Sequence, residues 1–265
     1  MIARPLRCSG LLLALSLSAT LPVAAFQALP EQQQKLIAAA RAYSNRYSEN
    51  LPSFICTQTV DQFEGDKKAH HWRKGDSLTS QLVWDRGREQ RTLQLVNSRP
   101  VPAHKLWRSP LVSEGEFGNL LDSVFSSESQ ASFTFRGWEN LDGKRLAVFA
   151  YNVDQQHSKL RLSMGMYDTV VACWGVIYLD EDNGTVWRIT NDADNFPQEL
   201  HTKSVSRSVD YSEVAIGDNR YVLPVHASVI LNTGERNLRN ELRFESYRKF
   251  TADSRISFGA DDPPK

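Results

Sequence analysis

The sequence lacks three things: net charge, a cysteine framework and a second long apolar run. Thirty-one basic side chains meet 31 acidic ones over 265 residues. Lys and Arg are interspersed with Asp and Glu from end to end, so no basic face exists to displace counterions from phosphate. Nucleic acid is excluded as a partner. Of the three cysteines, none has a second Cys or a His at ligand spacing. His70 and His71 are adjacent and would point to opposite faces of a strand, so no metal is expected, and no cofactor. Hydrophobic residues at 41% and charged residues at 23% are ordinary globular values, which excludes disorder, collagen and coiled coil. G-x-S-x-G, a Walker loop, H-E-x-x-H and the dinucleotide glycine fingerprint are missing, so no enzyme is expected.

The apolar run, residues 11–25, follows Arg4 and Arg7. Ser16, Ser18, Thr20 and Pro22 interrupt it, whereas a bilayer span needs about 20 consecutive apolar residues. Val23 and Ala25 put small side chains where a signal peptidase accepts them. Residues 1–25 are therefore expected to be a secretory signal peptide cleaved after Ala25, leaving a periplasmic or secreted chain that does not span a membrane. Residues 26–258 are expected to form one domain, and 259–265 a disordered tail. Export places Cys56 and Cys173 in an oxidising compartment. A bridge between them and two separate buried thiols both fit the sequence.

Residues 31–50 carry Leu36, Ala40, Tyr43 and Tyr47 at helical spacing, and Leu51-Pro52 ends the pattern. Beyond Pro52 the period shifts toward two. Strands are predicted over 54–63, 78–84, 91–96, 133–138, 145–153, 160–166, 170–179, 185–190, 204–216, 221–231 and 238–250. Turn pairs such as Asp142-Gly143 and Asn183-Gly184 separate several of them, and short gaps predict a largely antiparallel meander. Ser113 and Glu116 stand at capping-box spacing, predicting a second helix with Phe117, Leu120, Leu121 and Val124 on its apolar face. Residues 97–110 read as a loop from which Trp107 tucks in.

The run from Val170 to Leu179 is apolar on both faces, so both must be covered. Helices account for one cover; the other is the opposite wall of a curled sheet or an apolar ligand. Trp174, Val176 and Tyr178 share one face and are the expected ligand wall. Trp84 and Trp187 join it if their register turns them that way. Gly75-Asp76-Ser77-Leu78 and Asp154-Gln155-Gln156-His157 spell two blocks of the GDSL esterases. Ser77, however, begins a predicted strand between hairpins, where those enzymes need a strand-to-helix turn.

Two blocks, 175–189 (GVIYLDEDNGTVWRI) and 210–225 (DYSEVAIGDNRYVLPV), resemble successive hairpins of the outer-membrane lipoprotein-sorting superfamily, LolA/LolB-like. The chain as a whole also resembles an uncharacterised secreted bacterial family, through Leu51-Pro-Ser-Phe-Ile-Cys-Thr-Gln58, residues 115–121 and residues 244–250. The resemblance implies an α+β half-barrel, a strongly curved antiparallel sheet of about ten strands holding a helix in its concavity. It carries no functional residue to a position here. The expected function is an exported non-catalytic protein binding a lipid, an acylated protein or another apolar small molecule in that concavity. The second expectation is an envelope module that docks a partner protein, and the third a hydrolase using Ser77.

Overall fold

The computed structural model describes residues 29–101, 111, 115–164 and 166–250. The expected signal peptide, tail and domain limits, together with Trp107 and Ser113, lie outside them. The chain begins with α1 (Glu31–Asn50), β1 (Phe54–Gly65), β2 (Trp72–Asp85), β3 (Arg88–Val96), the two-residue β4 (Arg99–Pro100) and α2 (Asn119–Phe125). Then come β5 (Ser132–Leu141), β6 (Lys144–Val153), β7 (Arg161–Met164), β8 (Tyr167–Val170) and β9 (Cys173–Asp180). β10 (Val186–Asp194), β11 (Ser204–Ile216), β12 (Asn219–Asn232) and β13 (Asn237–Lys249) follow.

Among the described residues, eleven strands form one antiparallel sheet in the order β4-β3-β2-β1-β13-β12-β11-β10-β9-β6-β5. The expected meander holds only in part. β1 pairs with the distant β13, and β9 pairs with β6 because β7 and β8 leave the sheet as a separate hairpin. The predicted strand over 170–179 breaks between Val170 and Cys173, the two ends belonging to different sheets.

The sheet curls without closing, and the packing of its rings requires this. Trp84 on β2 and Phe133 on β5 are eight strand steps apart in the order, about 38 Å in a flat sheet. Yet Phe117 lies 5.9 Å from the Trp84 ring and Phe125 lies 5.8 Å from the Phe133 ring. Phe117 stands two residues before α2 and Phe125 is its last residue, and the helix between Asn119 and Phe125 rises only about 9 Å. Only a half-barrel wrapped around α2 brings both ends to it.

α1 lies in the same concavity. Its buried residues are Ile37, Ala40, Ser44 and Tyr47; the expected Leu36 and Tyr43 flank this stripe, partly buried against the core. The helix seats on the β9–β10 turn, where Gly184 has φ +73° and a Cβ would stand 2.5 Å from the Ala40 amide nitrogen. At its other end the Tyr47 hydroxyl donates to the Val222 carbonyl at 2.9 Å. The expected apolar face of α2 is buried throughout, Phe125 included. Glu116 is not a cap residue of this helix: it is fully buried and its carboxylate pairs with Arg91 at 3.3 Å.

Candidate functional site

Because α1 and α2 fill most of the concavity, its open part is narrow. A cleft of about 360 Å³ remains between α2, the start of β7 and the inner face of β10 and β11. Its helical wall is Asn119, Asp122 and Ser123; Lys159, Leu160 and Arg161 form the facing wall, and Asn191 and Arg207 the floor. Cross-strand pairing sets that floor, since Asn191 on β10 stands opposite Arg207 on β11.

The floor is polar but ordered. The buried Asn191 amide donates to the Tyr151 hydroxyl at 2.9 Å, and that hydroxyl donates to the Thr190 carbonyl at 2.6 Å. Burial pushes the Tyr151 hydroxyl far above its ordinary pKa, against the lowering effect of the Asn191 bond. On the wall, Lys159 bridges Asp122 at 2.8 Å and Glu128 at 2.9 Å, bonds that raise its pKa. Arg161 pairs with Asp168. None of these residues stood out in the sequence, because a polar residue at a strand's inner position reads there as solvent-facing until the helices are placed.

The residues expected to line the ligand site are dispersed. Cys173, Ile177 and Leu179 face the helices and are almost wholly buried. Trp174, Val176 and Tyr178 therefore face the opposite, outer side of the sheet, not the concavity. Trp174 and Val176 border a shallow groove there, of about 480 Å³. Tyr178 lies further along the strand, with the Arg188 guanidinium 5.8 Å from its ring centre. Trp84 is core, parallel to Phe54 at 6.4 Å and packed on Phe117. Trp187 is the extra residue of a bulge between β9 and β10, buried, with the Lys144 ammonium 4.2 Å from its ring.

Cys56 and Cys173 are both buried and unbridged. They stand on β1 and β9, five steps apart in the sheet order. Burial pushes the Cys56 thiol up to about 12 and raises that of Cys173, so each behaves as a small hydrophobe. Ser77 sits inside β2, opposite Asp61 on β1, and its amide donates to the Asn97 side chain at 2.9 Å. His157 folds back on Asp154, ring nitrogen to carboxylate at 2.8 Å, in the turn after β6. The two esterase blocks thus occupy an extended strand and a local turn, neither of which is a nucleophile's strand-to-helix elbow.

No protein-family model matches the sequence, and no curated protein does. Among solved structures, the chain is similar to a putative outer membrane lipoprotein-sorting protein domain from Vibrio parahaemolyticus. The TM-score is 0.41 at 12% identity, over 83% of this chain and 94% of that one. A DUF1329 family protein from Desulfovibrio piger gives 0.40 at 10% identity, over 82% and 95%. A LolA superfamily protein from Nitrosomonas europaea gives 0.37 at 10%, over 82% and 93%.

Proposed function

We propose that the chain is an exported, non-catalytic binding protein that holds a small amphiphile by its acidic head in the concave cleft. The observation that carries this reading is the meeting of Lys159, Arg161 and Arg207 around one opening whose floor is the Asn191 amide. Lys159 is shared between Asp122 and Glu128 and Arg161 is paired with Asp168, so a carboxylate or phosphate head would bind by taking the place of these exposed carboxylates and accepting their charge-assisted hydrogen bonds. Leu160, packed on the core, supplies an apolar wall for the first part of a tail. A wholly apolar ligand fits less well, because the rest of the concavity is occupied by rings such as Phe117, Phe125 and Phe149.

The test is binding of a dansylated fatty acid against its methyl ester, followed by fluorescence. The acid should bind, the ester should bind at least about tenfold more weakly, and Lys159→Glu should weaken the acid but not the ester. Equal binding of acid and ester, or binding of neither, would overturn the proposal. A second reading, docking of an envelope protein, is favoured by β5. It is the last strand of the order, and an edge strand is a template for strand addition. Capture of one partner by the wild-type chain, lost when Pro replaces Thr134, would support it.

A further inference from the structure

The groove on the outer face shares no lining residue with the concave cleft. Its shape follows from strand register. Ser132, Asn152, Trp174 and Asp192 form one row across β5, β6, β9 and β10. Thr134, Ala150 and Val176 form the next row. Ala150 is the smallest side chain in the middle of the two rows, so the surface dips there while the Trp174 indole stands beside it. Trp174 is 39% exposed, an unusual state for a large ring on a sheet whose other outer positions are mostly polar.

The chemistry around the ring selects among ligands. Asn152 and Asp192 flank it on the neighbouring strands, and Thr134 and Arg136 close the far side. Arg136 and Asp192 are one cation and one anion at opposite ends, so the groove attracts neither phosphate nor a cation. Its polar groups are too many for a lipid tail, which would leave them without partners. What they fit is a molecule with an apolar face and a rim of hydroxyls. A pyranose lays its C–H face on an aromatic ring, whose face carries negative potential, and its hydroxyls pair with amide, carboxylate and hydroxyl groups around it. Three strand steps give about 14 Å of length, enough for a short chain of such rings. We infer that the outer groove at Trp174 binds a neutral oligosaccharide.

Calorimetric titration of the full chain with chitotetraose and cellotetraose tests the inference. At least one should bind saturably. Trp174→Ala should weaken it about tenfold and Trp174→Phe much less, with the thermal midpoints of both variants close to wild type. Absence of heat with both sugars at millimolar concentration, or binding undiminished in Trp174→Ala, would overturn it. So would Trp174-dependent binding of phosphatidylglycerol vesicles in place of sugar. The dansyl-acid measurement at Lys159 reports on the concave cleft alone, so either site can fail without the other.

Discussion

Trp174 and Phe125 are both large rings, and burial separates their consequences. Phe125 is fully buried between the helix and the sheet, stacked on Phe133. Replacing it by Ala removes the ring's contacts and leaves a cavity, so Phe125→Ala should destabilise by about 3–5 kcal/mol. Trp174→Ala should cost less than about 1 kcal/mol, as exposed positions do. Urea titrations of the two variants check this, and a core-sized penalty at Trp174 would place it inside a packed face. The sequence showed that Val170 to Leu179 is apolar on both faces but not which face turns inward. Gly175 decides it: a Cβ at this inner position would lie 2.1 Å from the Thr190 carbonyl oxygen. That close backbone approach is a tertiary fact with no periodicity of its own.

At the scale of elements, nearly every strand was legible from alternation, as was α1 from its spacing and from Leu51-Pro52. The exact face of α1 was not, because Leu36 and Ile37 are equally apolar and only the shape of the seat chooses between them. That seat is the Asn183-Gly184 corner. Gly184 was readable as a hairpin residue, yet its lack of a side chain also lets α1 approach. Gly184→Val should be destabilising on two counts, a strained positive φ and a clash with Ala39 and Ala40. The expected outcome is a loss of about 2–4 kcal/mol, read as a lower denaturation midpoint with α1 amides exchanging faster. The concave cleft was the least legible part. Asp122, Lys159, Asn191 and Arg207 come from four separate stretches, and only the curl of the sheet brings them together.

For the molecule as a whole, the outer face carries charge in a band across the strands. Arg188 pairs with Asp210, and His226 stands 3.4 Å from Asp210 and 3.0 Å from Glu241. Asp61 follows, with Arg243 at 3.0 Å and Lys74 at 3.1 Å. Burial works against the Asp61 carboxylate, but hydrogen bonds from Ser77, Lys74 and Arg243 outweigh it and hold its pKa below the ordinary value. A depressed folded pKa gives stability that is complete above the unfolded value of about 3.9 and lost as pH falls through the folded one. At the alkaline end, burial pushes the hydroxyls of Tyr47, Tyr151, Tyr211 and Tyr247 well up. Their stabilisation is intact below the unfolded value of about 10 and lost progressively above it. Denaturation midpoints should therefore fall below about pH 4 and above about pH 10. Asp61→Asn should flatten the acid limb only, and tyrosinate absorbance should appear together with unfolding.

The pairing of β1 with β13 has a consequence in time. Phe54 lies opposite Lys249, and Gly65 opposite Asn237, so the first strand's inner neighbour is the last described strand to leave the ribosome. Until it arrives, the hairpin of β1 and β2 shows one bare edge, and the Phe54 ring lacks its Tyr247 neighbour, 5.3 Å away in the folded chain. Such non-local closure is entropically slow and leaves sticky intermediates exposed. The nascent chain is thus committed to a long wait with its β1 edge open.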